Sequence, residues 1–348
     1  VARNEPDLSE FEQIEDVGEL RRLLSAANTK IRRQRNQHED YIEAILEGVS
    51  EAVRSLRPRR AIPTPKISSG NGKPEVALWH LTDWQGSKVT TSYNSEVMRE
   101  RIRTFLDKAE RLTAIQRADH PVNDCTILFG GDLMEGLFNF PQQVFEVDAT
   151  LFEQLLIGAD LVEECIMRAL GMHPGGVDVV FEWGNHGRVG DKRAAVPRAD
   201  NMDRILAELV RRGLADPTTG KLPDRLTMRA DEEDMHHFKI GKYEALLIHG
   251  DEIGRNGTTS IVTILKHVAG WKSGAYDKPF QDVYSGHLHS HKDIELADGG
   301  MFFQTSSPET DNRYAGVSMA SSSLPTQRLH FIDPRAARVT AQYRVDLT

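Results

Sequence analysis

The pattern of apolar and polar positions divides the chain into two textures. Between residues 75 and 212, short apolar runs alternate with longer stretches whose apolar positions recur every three to four residues. The runs at 75–81, 126–129 and 177–183 have the length and composition of buried strands. The stretches at 96–117, 149–170 and 198–212 carry the helical period, and Gly171 is placed to close the second of them. The resulting order β-α-β-α-β-α predicts a partly parallel sheet. From Leu226 onward the texture is mostly that of strands. Runs at 226–229, 237–240 and 244–248 predict antiparallel strands, with Gly241-Lys242 as a hairpin turn. One helix, 258–269, precedes strands at 283–285, 292–296, 301–304, 327–332 and 338–345. The expected class is α/β, with two packed mixed β-sheets flanked by helices and no internal repeat.

A different segment precedes this body. Residues 1–15 are acidic and polar and are expected to fray. A helix is expected from Asp16, with Glu19 as its capping-box partner. Leu20, Leu24, Ala27, Ile31, Tyr41, Ile45 and Val49 form a narrow seam, broken by Gln34 and His38. Such a seam fits a coiled coil or a helix packed on its own domain. We expect it to make the protein a homo-oligomer, most simply a dimer. Lys30, Arg32, Arg33 and Arg35 read as a solvated face, with nucleic-acid contact as the alternative. Residues 57–74 contain Pro58, Pro63, Pro65 and Pro74 and a Ser-Ser-Gly-Asn-Gly run, the composition of a linker. The division is therefore 1–56, a helical extension; 57–74, a linker; and 75–348, the main domain.

The chemistry gathers where the strands end. The stretch around Gly130-Gly131-Asp132 follows an apolar run, and in open α/β sheets ligands collect at the carboxyl ends of strands. Four other runs end likewise: in Asp83-Trp84-Gln85, in Gly184-Asn185-His186, in His249-Gly250-Asp251 and in Gly286-His287-Leu288-His289. One such end is an ordinary turn, but five in one chain make a site. Asp, Asn and His without a thiolate suit borderline or hard divalent ions. The ligands are too many for one tetrahedral ion, and two ions ~3.5–4 Å apart would use them. Such a pair polarises a phosphoryl group and activates the water between the ions, so phosphoester hydrolysis is the expected reaction.

Composition narrows this only in part. At 348 residues the chain can bury a full core. No apolar run approaches the ~18 residues of a membrane helix, so no membrane partner is expected. Two cysteines, Cys125 and Cys165, lie in apolar segments, which fits buried thiols and a reducing cytoplasm. A net charge of −9 argues against holding nucleic acid by global electrostatics. It leaves a nuclease open, because bound cations reverse the field at a carboxylate cluster.

The order Asp-x-Gln, Gly-Asp, Gly-Asn-His, His-Gly, Gly-His-x-His resembles the calcineurin-like metallophosphoesterases, over about residues 76–333. The resemblance implies the αββα sandwich of that family. It implies that Asp83 and His289 hold a first metal, Asp132 bridges, and Asn185, His249 and His287 hold a second. His186 would serve as general acid or charge stabiliser rather than ligand. Two divalent ions are implied, Mn²⁺ before Mg²⁺, Fe²⁺ or Zn²⁺. Gln85 stands where the family usually has His, so its ligation is an open point. Gly187-Arg188 replaces the acidic residue that often follows the Asn-His pair, and Arg188 with Lys192 or Arg193 could clamp a phosphate. The Gly-Asn-His-Gly-Arg run, Asn312-Arg313-Tyr314-Ala315 and Pro325-Thr326-Gln327-Arg328 look like tailed-phage members, many of them described as similar to SbcD-type DNA repair nucleases. On that resemblance the expected substrate is DNA, in a host cytoplasm. The alternatives are a small-substrate phosphatase or phosphodiesterase acting on a nucleotide, and a non-catalytic scaffold. His80, His120, His173, His236, His237, His267 and His330 are expected to be structural.

Overall fold

The computed structural model describes residues 63–137, 143–189, 200–253, 259–311 and 324–348. The expected N-terminal helix and its seam, the start of the linker, Lys192, Arg193 and the Asn312–Ala315 segment lie outside the described residues. Six strands form one sheet: β1 (Glu75–Leu81), β2 (Val122–Phe129), β3 (Gly176–Phe181), β4 (Leu226–Arg229), β10 (Thr326–Asp333) and β11 (Arg338–Asp346). Five form the other: β5 (His236–Ile240), β6 (Tyr243–Leu247), β7 (Asp282–Ser285), β8 (Lys292–Glu295) and β9 (Met301–Gln304). The first runs in the order β11-β10-β1-β2-β3-β4 and the second in the order β5-β6-β7-β9-β8.

Strands β1 to β4 are mutually parallel, while β10 and β11 add antiparallel at one edge. In the second sheet β6, β7 and β9 are parallel and the edge strands β5 and β8 are antiparallel. Both sheets are thus mixed, as expected. The hairpin of β5 and β6 turns at Gly241, whose φ of 60° suits glycine. One expectation fails. Residues 226–229 are not part of an antiparallel group with β5 and β6; β4 pairs in parallel with β3, Val177 opposite Leu226. A four-residue strand carries no directional signal of its own, and the helix before it delivers it to the first sheet.

Helices α1 (Ser95–Gln116), α2 (Leu151–Met172) and α3 (Met202–Leu214) connect the parallel strands. Asn94, Thr150 and Asn201 cap them by accepting backbone N–H groups of the first turn. Helix α2 does not stop at Gly171, as its sequence predicts; it runs to Met172 and His173 caps it. Alternation along the strands sorts the two faces of the first sheet. Leu78, Leu128, Val180 and Ile332 pack against Phe238, Ala245, Leu247, Tyr284 and Phe303 of the second sheet. Their neighbours Trp79, Ile127 and Phe181 are fully buried on the opposite face, where Trp79 meets Phe105 of α1 edge-on at 5.6 Å. Leu246, Val283 and Phe302 face outward from the second sheet onto Ile264 and Val268 of α4 (Ile261–Gly270). The result is an αββα sandwich. Cys125 and Cys165 are both buried and unbridged.

Candidate metal centre

The loops after β1 and β2 run side by side at the carboxyl end of the first sheet's central strands. Asp83 N donates to Gly131 O at 3.0 Å, Gln85 N to Asp132 O at 3.0 Å, and Glu135 N to Gly86 O at 2.9 Å. This ladder holds the backbone in an uncommon conformation. Eight described non-glycine residues have positive φ, and five of them are Asp83, Gln85, Asp132, His287 and His289, at 47–68°. Each such residue costs of order 1 kcal/mol and persists only where its surroundings fix it. The strain is thus concentrated on the residues that the strand-end pattern selects.

Two glycines matter because backbone packs against backbone there. A Cβ on Gly131, at φ +86°, would sit 2.4 Å from Gly184 N, and one on Gly184 would sit 1.9 Å from Asp132 Oδ1. What comes close at Gly131 is the loop after β3. Asp203, in the first turn of α3, fastens the two loops. Its carboxylate accepts from Asp132 N and Gly184 N, both at 2.9 Å, and from Leu133 N at 3.1 Å. Burial, then the nearby Asp132 charge, pushes the Asp203 carboxyl up to about 7. Asn201 caps Asp203 N and donates to Gly184 O at 2.6 Å.

The ligand atoms of Asp132, His249 and His287 lie within 4.8 Å of one another. His249 Nδ1 faces Gly130 O at 2.8 Å, so that nitrogen carries the hydrogen and Nε2 is turned to Asp132 Oδ2 at 3.1 Å and Asn185 Oδ1 at 3.2 Å. Burial disfavours a charge on His249, but the Asp132 carboxylate outweighs it and raises the imidazole well above its usual range. The reverse holds at His287, whose ring lies 5.0 Å from that of His249. Burial, then repulsion by His249, lowers it to about 4, so it is a neutral donor at neutral pH. A protonated His249 wedged among oxygens holds a positive charge in the place where a cation fits, and metal binding must displace that proton.

A second group adjoins the first. His287 N donates to both Asp83 oxygens at 2.9 Å, and His289 Nε2 lies 3.5 Å from Asp83 Oδ1. His289 Nδ1 is backed by Glu309 at 3.2 Å. Burial opposes its charge, but Asp83 and Glu309 together raise His289 to about 10. Gln85 joins the groups: its Nε2 is 3.3 Å from Asp132 Oδ2 and 3.2 Å from His289 Nε2. Its Oε1 is buried without a hydrogen-bond partner. An unpaired buried acceptor costs ~1–3 kcal/mol. A half-turn of the amide exchanges the two atoms, and a cation in the cluster would satisfy the oxygen. The donor set of carboxylate, amide and imidazole therefore fits divalent ions. Gln85→His is expected to lower the Mn²⁺ concentration that gives half-maximal activity in the stripped protein. An unchanged half-saturation, with both proteins active, would mean that residue 85 does not face the metal.

Beside the cluster, His186 N donates to Asp132 Oδ1 at 2.7 Å. Its Nδ1 is 3.1 Å from Glu135 Oε2, which leaves Nε2 on the side of Asp132, 4.0 Å from Oδ2. Burial works against its charge, but Glu135 and then Asp132 raise it to about 9. Glu135 in turn receives Lys88 at 3.0 Å. Arg188 is turned to Asp251, with which it pairs directly. Arg193 lies outside the described residues. Gln327 serves a bracing role, accepting from Thr82 N at 2.8 Å and donating to Ser306 O at 2.7 Å. The seven histidines expected to be structural are each hydrogen-bonded within the fold.

Sequence reasoning did not single out Asp203, Glu135 or Glu309. Asn201-Met202-Asp203 has the ordinary look of a helix start, and its third residue is spent on loops rather than on its own helix. Glu135 follows Asp132 by three residues, and that spacing was its only signal.

No family model matches the chain, and no curated protein does. Several solved structures match the chain at low identity. Vps29 of Entamoeba histolytica complexed with Zn²⁺ is 12% identical, with a TM-score of 0.35, over 78% of this chain and 99% of that one. A dimetal phosphatase from Danio rerio is 11% identical, with a TM-score of 0.42, over 79% of this chain and 100% of that one. The phosphopantetheinyl hydrolase of Mycobacterium tuberculosis is 11% identical, with a TM-score of 0.29, over 68% of this chain and 91% of that one. Likeness at this level carries no functional argument, and the SbcD-type resemblance gains no support from these three. No helix among the described residues is long and apolar enough to cross a membrane. The described residues form an αββα sandwich with a cluster of Asp132, His249 and His287 that could hold a metal ion.

Proposed function

We propose that the protein is a metal-dependent phosphoesterase acting on a small phosphate ester, such as a nucleotide. The carrying observation is the cluster of buried Asp132 and His249 with half-buried His287, and the Glu135-backed His186 beside it. Asp83, Gln85 and His289 would hold one divalent ion, Asn185, His249 and His287 another, and Asp132 would touch both. Hard oxygen donors favour Mn²⁺ or Mg²⁺. Ions bound there would polarise the phosphoryl group and activate water.

The chain's own residues supply the rest. Glu135 fixes the ring of His186 and keeps it protonated, so Nε2 can give its proton to the departing ester oxygen. The acidic walls favour a small substrate over a nucleic acid. Lys88 and Arg188, two cations beside the site, are each held by carboxylates, Lys88 by Glu135 and Glu146 and Arg188 by Asp251. A DNA strand is gripped through many free Lys and Arg contacts to phosphate, and the net charge of −9 works against that.

The full chain, stripped with a chelator and reloaded with Mn²⁺, is expected to hydrolyse a chromogenic phosphodiester or phosphomonoester in a metal-dependent manner. Higher kcat/KM on single-stranded or duplex DNA would return the assignment to a nuclease. Bound metal by elemental analysis without hydrolysis of any of these would leave a metal-binding scaffold.

A further inference from the structure

The segment that follows β9 is laid along the group of Asp83, Gln85 and His289. Thr305 N donates to Ser285 O at 2.8 Å, which starts the segment beside β7. The next side chains reach that group one after another. Ser306 Oγ donates to His289 O at 3.1 Å, and Ser307 Oγ to Asp83 O at 2.6 Å. The same Ser307 hydroxyl accepts from Glu309 N at 2.9 Å, so one side chain ties the Asp83 loop to Glu309. Just beyond, Arg101 Nη1 donates to Thr310 Oγ1 at 3.0 Å and Thr90 Oγ1 to Thr310 O at 2.7 Å. Held on both sides, Glu309 turns a buried carboxylate to His289 Nδ1 at 3.2 Å. Burying a carboxylate costs free energy that only a partner matching its charge offsets.

We infer that Glu309 is the positioning residue for the ion held by Asp83, Gln85 and His289, and that its charge makes up there for the neutral Gln85. The inference rests on the two-ion reading proposed above and deepens it. A carboxylate accepts and does not donate, so it keeps the hydrogen of His289 on Nδ1 and leaves the Nε2 lone pair to the ion. Nε2 is the nitrogen turned to Asp83 Oδ1 and Gln85 Nε2, at 3.5 and 3.2 Å. The other position is backed differently. There His249 Nδ1 faces a neutral acceptor, Gly130 O, and two imidazoles are on offer, those of His249 and His287. Beside Asp83 there is one imidazole, and Gln85 adds only a neutral amide. The charge of Glu309, felt through the ring, makes that one imidazole a stronger donor. Glu309 touches no ion itself; it acts through His289.

The test counts ions rather than turnovers. The full chain is stripped with a chelator and titrated with Mn²⁺, and free Mn²⁺ is read from its electron paramagnetic resonance signal. The wild type is expected to bind two ions. Glu309→Gln keeps the shape of the side chain and removes the charge. It should weaken one ion by ~10–100-fold, the usual cost of losing such a carboxylate, and leave the other at its wild-type affinity. A merely structural role would loosen both, because Asp83 N and Gln85 N are bonded to the loop of Asp132. His289→Ala should weaken the same ion, and adding Glu309→Gln to it should change nothing further. Equal affinities in the wild type and Glu309→Gln overturn the assignment, whether or not the protein hydrolyses an ester. So does a loss at both positions in a variant with unchanged circular dichroism, or a further loss in the double variant. If the wild type binds one ion or none, the two-ion reading fails and the role of Glu309 falls with it. The ion retained in Glu309→Gln reports that the variant is folded.

Discussion

Asp132→Asn is expected to abolish hydrolysis, by at least ~10³-fold, in a protein that stays folded. The fold should survive because the backbone of residue 132 is held by Asp203 and by the loop after β1, not by its own side chain. An asparagine oxygen can still accept from His186 N, the 2.7 Å contact that Asp132 Oδ1 makes. Removing the charge also relieves Asp203, which burial and the Asp132 carboxylate push up to about 7. With that repulsion gone Asp203 ionises more readily and keeps its three backbone bonds. The loss falls on the metal. Asp132 Oδ2 faces both His249 and Gln85, one from each proposed ligand group, so it is the oxygen placed to touch both proposed ions. Elemental analysis should show both ions depleted. Full metal content with near-normal turnover would sink the shared-ligand arrangement.

How much of this was legible beforehand follows from what each residue must satisfy. A metal ligand at a strand end has to be a polar residue directly after an apolar run. That contrast is local, so Asp83, Asp132, Asn185, His249 and His287 all stood out. The strand-and-helix rhythm was equally local, and β4 and β9 were predicted to the residue. Partners were not legible, because they are set by tertiary geometry. Four residues of β4 gave no indication that they pair with β3. Arg188 reads from sequence as a phosphate clamp, and nothing around it in the chain shows that Asp251, 63 residues away, pairs with it. Glu309 reaches His289 across 20 residues of sequence, with nothing around it to mark it. Gln85 was conspicuous only by family resemblance. The structure supplies what sequence could not: an unpaired Oε1 and a φ of 47°.

The second large effect separates holding a metal from moving a proton. His186→Ala should leave the metal content unchanged and slow turnover by ~10²–10⁴-fold, the usual range for a lost general acid. Its imidazole faces Glu135 through Nδ1 and stands 4.0 Å from Asp132 Oδ2 through Nε2, behind the cluster of Asp132, His249 and His287. Loss of a metal ion in the variant would instead make His186 a ligand. The pH dependence adds a check that a purely structural histidine would not move. Glu135 and Asp132 raise His186, so the proton is present at neutral pH and is lost as pH rises through the folded pKa. The rate should therefore fall on the alkaline side. Glu135→Gln keeps a polar contact to Nδ1 but removes one of the two charges that raise it. The alkaline limb of the pH–rate profile should then move to lower pH while the metal content stays the same. A profile that does not move would mean that another group controls the limb. His186 would then act by stabilising charge on the transferring phosphoryl group, and its proton would not be the one transferred.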